Sequence, residues 1–377
     1  MNKSTVVSPI VFETWPTSHG KLIGYVCLNL PQQLNALSLT MIDRLLQQLQ
    51  RWQVDDDLVC VVFDGAGEKA FCAGGDVRKL YAEGLLTPQA INEYVTHFFQ
   101  QEYELDHLIH HFTKPILVWG DGIVMGGGLG LMAGASHRIV TETTRLSMPE
   151  ITIGLYPDVG AGYFLNQMPI PLGLFLGLTA YVLNGAEAVY VGLADCITTQ
   201  DQKKHLFAQL KQLAWQVPGT VANHICLTTC LDQLPAPPLL HCDVQTHQAE
   251  LTRLLAPDSL VEVENNVSAW QPKTPSLIQA KTTLLAGSPL SKGIVWQQLH
   301  PPRPLSLAEV FRQELILSVN CIAYGDFIEG VRALLIDKDK KPIWQVPTVA
   351  DITAPQIARF FQAPAAWGDR HPLAYLD

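Results

Sequence analysis

The sequence predicts an α/β fold in its first half and a mainly α-helical region after it, and three observations carry that expectation. Up to about Asp195, runs of strand formers alternate with stretches of helical period. Two glycine-bearing loops, 72–76 and 125–130, each follow a strand pattern and precede a helical one. Beyond Asp195 strand patterns thin out, and Pro235, Pro237, Pro238, Pro257, Pro301, Pro302 and Pro304 punctuate helical stretches. The expected organisation is an α/β core over residues 1–200 with a helical C-terminal region, 201–377, packed on it.

Taken in order, Leu22 to Leu30 is rich in strand formers, and Ser38 is placed to cap a helix that runs to Trp52. Leu58 to Phe63 reads as a buried strand, closed by Asp64-Gly65-Ala66-Gly67. After the tight loop from Lys69 to Asp76, Pro88 is expected to open a long helix reaching Phe112. On that helix Val95, Phe98, Phe99, Glu102, Leu105 and Ile109 recur at spacings of three and four. Glu102 therefore falls on the apolar stripe, where an unpaired acid is costly; it is either a buried structural acceptor or an anchor for a ligand. Ile116 to Val124 is a further strand that runs into Met125-Gly-Gly-Gly-Leu-Gly130, whose glycines let backbone approach a ligand closely.

Strand-like His137 to Thr141 leads into Met148-Pro-Glu-Ile-Thr-Ile-Gly-Leu-Tyr-Pro-Asp-Val-Gly-Ala-Gly-Tyr163. Pro149 and Pro157 bias Met148 and Tyr156 away from the helical region, so this stretch turns rather than forming one helix. Its two carboxylates, Glu150 and Asp158, sit among apolar or small residues. Asp158 is open to two readings, cap of a short helix or site residue. Desolvation raises a carboxylate's affinity for protons, which suits acid or base work.

Composition narrows the function classes. Of 377 residues, 48% are hydrophobic and 16% charged, which indicates a sizeable core and argues against disorder. The formal charge of -10 and pI of about 5.6 speak against nucleic-acid partners and acidic membranes. Eight cysteines without a C-x-x-C pair fit a reducing compartment and suggest no metal site. Met1 to Pro9 lacks an apolar signal core, and the apolar run from Ile170 to Ala194 is broken by Pro171, Asn184 and Glu187. A cytoplasmic protein with no membrane span is the expectation.

Among motifs, Gly128-Leu-Gly-Leu-Met-Ala133 matches the dinucleotide pattern G-x-G-x-x-A, with Glu150 near the offset of a ribose-binding acid. Pro149 interrupts the strand end that such an acid needs, and the first glycine loop is left unexplained. The phosphate-cradling G-x-x-x-x-G-K-[ST] and the nucleophile elbow G-x-S-x-G are absent. If the two glycine loops converge, one amide from each would point at a single oxygen, as acyl-transfer chemistry requires.

Lys69-Ala-Phe-Cys-Ala-Gly-Gly-Asp76, Met125-Gly-Gly-Gly-Leu-Gly130 and Met148 to Asp158 together resemble the enoyl-CoA hydratase/isomerase (crotonase) superfamily. Pro157-Asp-Val-Gly-Ala-Gly-Tyr-Phe-Leu165 and Phe327 to Lys340 resemble, more narrowly, its 3-hydroxyisobutyryl-CoA hydrolase branch. The resemblance spans about residues 20 to 345 and is weakest over 200 to 300. It implies a spiral of repeated ββα turns with a helical C-terminal region. It also implies an acyl-CoA substrate whose thioester oxygen lies between two backbone amides, by position those of Ala73 and Gly127.

The same resemblance places Glu102, Glu150 and Asp158 around the acyl group, Gly126 in the substrate loop, and Gly74, Gly75, Asp76 and Val77 against the adenine end. Hydratases of the superfamily carry a second glutamate on the helix after the triple glycine, and that position here is Gly130. Hydrolysis is thus expected, with Glu150 either attacking the carbonyl or activating water. Hydration or isomerisation, and a non-catalytic CoA-binding subunit, are the alternatives. No cofactor is expected beyond the CoA of the substrate. Lys69, Arg78 and Lys79 are candidates for its phosphates, and homo-oligomers occur in the family.

Overall fold

The computed structural model describes residues 8–216, 220–238 and 240–377. The expectation for Met1 to Pro9 falls mostly outside them. Nine strands form two sheets. The larger has the order β1-β2-β3-β5-β7-β9 and the smaller the order β4-β6-β8. β1 (Ile10–Pro16) and β2 (Leu22–Leu28) pair antiparallel; β3 (Leu58–Gly65), β5 (Ile116–Gly120), β7 (His137–Thr141) and β9 (Cys196–Thr198) continue the sheet in parallel. The small sheet is parallel throughout: β4 (Ala70–Cys72), β6 (Ile123–Met125) and β8 (Arg145–Ser147).

Each turn of the chain thus gives one strand to each sheet, β3 then β4, β5 then β6, β7 then β8. This is the expected ββα spiral. The split explains one difference from the sequence reading, which takes Ile116 to Val124 as a single strand. Asp121 and Gly122 break it, and Gly122 lies at φ +66°, where a Cβ would press against the Lys69 carbonyl. The chain can then step from the large sheet to the small one.

Helices follow β2, β4 and β6 and position the loops. α1 (Leu39–Gln53) is capped by Ser38, whose side chain accepts from the Met41 amide at 3.3 Å, and buries Met41, Ile42, Leu45, Leu46 and Leu49. α2 (Val77–Leu86) begins where the first glycine loop ends. α3 (Glu93–His110) starts later than expected from Pro88: Gln89 takes a left-handed φ of 57°, and Asn92 is the cap, accepting from Val95 at 3.1 Å. α4 (Gly127–Ala133) opens directly on the second glycine loop.

After β8 a 3-10 turn (Glu150–Ile153) ends at Gly154 in the left-handed region, so the stretch between the prolines does turn. Beyond β9 the chain is helical, as expected from its periodicity. Among these helices, Leu307–Tyr324 packs along α3 and Phe327–Val331 along α2, so the C-terminal region walls the same edge of the core that carries the glycine loops.

Candidate active site

The two glycine loops and the proline-flanked turn do converge, on a cavity of about 200 Å³. Its lining includes Ala73, Gly74, Gly75, Val77, Glu102, Gly126, Gly127, Glu150 and Asp158, all selected from the sequence. Phe98, Phe99, Pro149, Ile153 and Leu155 make most of its wall apolar, and Leu334 and Leu335 close it from the C-terminal region. Two expectations fail here for physical reasons. Asp76 does not line the cavity, because its carboxylate caps α2 by accepting from the Lys79 amide at 3.1 Å. Ala73 lines it, but its N–H donates to the Leu34 carbonyl at 3.0 Å and is turned away from any ligand oxygen.

The neighbouring loop amide is different. A bridge to Leu37 uses the Gly74 carbonyl and the Asp76 N–H, which leaves the Gly75 N–H between them without an acceptor among the described residues. Gly127 is the first residue of α4, so its N–H has no acceptor within the helix. The Gly75 and Gly127 N–H groups, one from each glycine loop, are therefore not taken up by these bonds.

The acids sit against the same loops. A methyl group built on Gly126 would lie 3.1 Å from Glu150 Oε1 and 3.5 Å from Gly74 Cα, which puts the Glu150 carboxyl against both glycine loops. Glu102, Glu150 and Asp158 are 3%, 5% and 4% exposed. Glu102 Oε1 and Glu150 Oε2 have no hydrogen-bond partner among the described residues, whereas Asp158 Oδ2 accepts from the Tyr103 hydroxyl at 2.7 Å. Burial raises the proton affinity of all three acids, and the charge of Asp158 adds to the effect at Glu150 and Glu102. Asp158 is pushed up to about 6, held there against burial by the Tyr103 bond.

Asp158 is not a helix cap. The short helix Ala161–Phe164 has Gly160 at its cap position, and only the Asp158 backbone carbonyl bonds into it. The loop carrying Asp158 is held from behind by Glu314, whose carboxyl oxygens accept from Gly160 at 2.7 Å and Gly162 at 3.0 Å. Those bonds fix a costly backbone: Val159, a β-branched residue, sits at φ 55°. Its side chain packs over Gly130, where an added Cβ would meet Val159 Cβ at 2.7 Å and Asp106 Oδ2 at 2.8 Å. Gly130 has no room for any side chain.

Several of these residues escape the sequence reading. Asp106 is fully buried with neither oxygen partnered among the described residues, and its place four residues after Glu102 on the same stripe was a usable signal. Tyr103, Glu314 and Ser318 gave none, because their contacts to residues 156–162 are long-range. Of the basic candidates, Lys69 is exposed, Arg78 donates to the Leu335 carbonyl at 2.8 Å on the cavity rim, and Lys79 pairs with Glu83 at 2.6 Å.

The family model described as enoyl-CoA hydratase/isomerase matches residues 23–361. The mitochondrial 3-hydroxyisobutyryl-CoA hydrolase of Danio rerio is 36% identical over 363 residues, 96% of this chain and 92% of its own length. That of Homo sapiens is 33% identical over 344 residues, 90% and 86% of the two chains. Among solved structures, an enoyl-CoA hydratase from Rhodobacter sphaeroides has a TM-score of 0.81 at 30% identity, covering 95% of this chain and 98% of that one. A carnitinyl-CoA dehydratase from Mycobacterium thermoresistibile has a TM-score of 0.79 at 27% identity, over 94% and 96%.

Proposed function

The chain belongs to the enoyl-CoA hydratase/isomerase family and has its crotonase fold, and we propose that it is an acyl-CoA thioester hydrolase converting 3-hydroxyisobutyryl-CoA to 3-hydroxyisobutyrate and CoA. The reaction places it in valine breakdown. The relatives similar over nine-tenths of the chain bear the hydrolase name, while the similar solved structures bear hydratase and dehydratase names. The observation that favours hydrolysis is the packing at Gly130. Adding water across a double bond needs a second acid there, and Val159 and Asp106 fill that space. Asp106 does not line the cavity.

In this reading the thioester oxygen lies between the Gly75 and Gly127 N–H groups, which hold the negative charge that develops as the carbonyl is attacked. Gly75 replaces Ala73 in that role, because the Ala73 amide is already bonded. Glu150 acts in its ionised form. It either attacks the carbonyl to give a transient anhydride that water then opens, or draws a proton from an attacking water, with the CoA thiolate leaving in both cases. Because Glu150 binds its proton tightly, the ionised form is a strong base, and activity rises with pH as that proton is lost.

Asp158 and Glu102 accept from the substrate's 3-hydroxyl. An acyl group lacking that hydroxyl leaves a buried acceptor unpaired, which discriminates more strongly than a methylene-sized pocket. CoA arrives as part of the substrate, so no separate cofactor is required, and Arg78 and Lys69 are proposed for its phosphates. Eight free thiols fit a reducing compartment, proposed to be the cytoplasm although the curated relatives are mitochondrial. Assembly into a homo-oligomer is a further expectation from the family.

The test is to incubate the protein with 3-hydroxyisobutyryl-CoA and with crotonyl-CoA while following free thiol and the enoyl absorbance. Thiol from the first substrate alone is expected. Loss of the enoyl band without thiol would make it a hydratase, and no change with either substrate would leave a binding role.

A further inference from the structure

Three hydroxyls run in a line from Asp158 into the protein. Tyr103 on α3 is 2.7 Å from Asp158 Oδ2 and 2.6 Å from Ser318 Oγ on the Leu307–Tyr324 helix. Ser318 Oγ is in turn 2.8 Å from the Tyr156 hydroxyl, which lies 2.7 Å from the Glu314 carbonyl. Tyr103, Tyr156 and Ser318 are all 0% exposed, so water does not compete for these bonds.

Each hydroxyl has one hydrogen to give and lone pairs to accept. When Asp158 is ionised, every hydrogen can point toward it: Tyr156 to Ser318, Ser318 to Tyr103, Tyr103 to Asp158. When Asp158 Oδ2 carries a proton, the order reverses, and Tyr156 donates to the Glu314 carbonyl instead. No hydroxyl loses its partner in either order. One proton arrives on or leaves Oδ2; the three hydroxyl hydrogens only rotate, and none passes along the line. Glu150 Oε2 and Glu102 Oε1, by contrast, have nothing to hold them among the described residues.

We propose that Tyr103, Ser318 and Tyr156 are positioning residues that form a reversible hydroxyl chain, fixing Asp158 in one place through both of its protonation states. The inference rests on the role proposed for Asp158 and deepens it: the C-terminal helical region takes part in the chemistry through Ser318, besides walling the cavity. The groups facing Asp158 are Glu102 and Asp106 from α3, Glu150 from the 3-10 turn, Tyr156 from its own loop, and Glu314 and Cys321 from the Leu307–Tyr324 helix. None of these acids is in a salt bridge among the described residues. The Tyr103 hydroxyl at the head of the chain, with a smaller contribution from Asp158's own backbone, is thus what favours the ionised form at Asp158.

The experiment is the pH dependence of kcat/KM for thiol release, together with an infrared titration of the Asp158 carboxyl that needs no turnover. Tyr103→Phe removes the donor, so the acid limb and the Asp158 titration are expected to move up by about one pH unit, with kcat lowered about tenfold. Ser318→Ala leaves Tyr103 in place and is expected to move both in the same direction by less. Superimposable profiles and titrations for wild type and both variants, at unchanged thermal midpoints, would overturn the proposal. If the wild type released no thiol, the hydrolase reading would fail, and the titration would still decide this one.

Discussion

Two groups of acids in this chain are treated in opposite ways. Around the cavity Glu102, Asp106, Glu150, Asp158 and Glu314 are buried together with no cation paired to them among the described residues, and every one binds its proton more tightly than usual. At the Phe327–Val331 helix and the turn after it, Glu329, Asp337 and Asp339 all bond to one guanidinium, that of Arg332, at 2.8, 2.6 and 2.8 Å. There Glu329 and Asp339 release their protons more readily than usual, chiefly through the Arg332 bonds. The residue types are the same, so neighbour and solvent set the proton affinity. Burying acids without counter-charge costs stability, and around the cavity that cost comes with the raised proton affinity that proton transfer would use.

The largest effect is expected where the comparison is broken chemically. Glu150→Gln keeps the shape but can neither attack nor take a proton, so kcat for thiol release should fall at least about a hundredfold. Steady-state assays check this, and near-normal turnover would remove Glu150 from the mechanism.

A smaller effect, on stability, sharpens the same contrast. Asp106 binds its proton well above the ordinary value of 3.8, so the stability it contributes is fully present below that value and is lost as pH rises through the raised one. Asp106→Asn removes this titration. The variant should melt close to the wild type at about pH 4 and above it at about pH 8, a difference read by calorimetry. Wild type and variant that kept a constant gap across this range would show that Asp106 does not hold its proton as described.

The smallest effect belongs to the ion-paired turn. Arg332→Ala should lower the melting temperature by a few degrees at low salt and by less at high salt, because exposed pairs are screened. A change in the pH dependence of kcat in this variant would contradict the separation of the two groups.

Much of this was legible in the sequence where the signal is local. The strand and helix periods gave the α/β alternation and the family resemblance implied the spiral, the glycine loops marked backbone that lines the cavity, and a lone acid on an apolar stripe marked Glu102. What was not legible depends on orientation or on distant contacts. Composition places Ala73 and Gly75 equally well, and only the bonds to Leu34 and Leu37 show which amide is available. Nothing in residues 150–163 indicates that Glu314 and Ser318, more than 150 positions later, hold Asp158 in place. The cap reading of Asp158 failed for the same reason: its side chain is drawn to Tyr103 on another helix and away from its own.

The central claim is that the cavity acids, buried without a counter-charge among the described residues, keep their protons to higher pH than exposed carboxyls do. Infrared difference spectroscopy of the free enzyme, wild type against Glu150→Gln, reads it directly. The account predicts a protonated-carboxyl band, absent from the variant, that persists to higher pH than the bands of exposed carboxyls. A band lost by the variant that titrates together with the exposed carboxyls would contradict it.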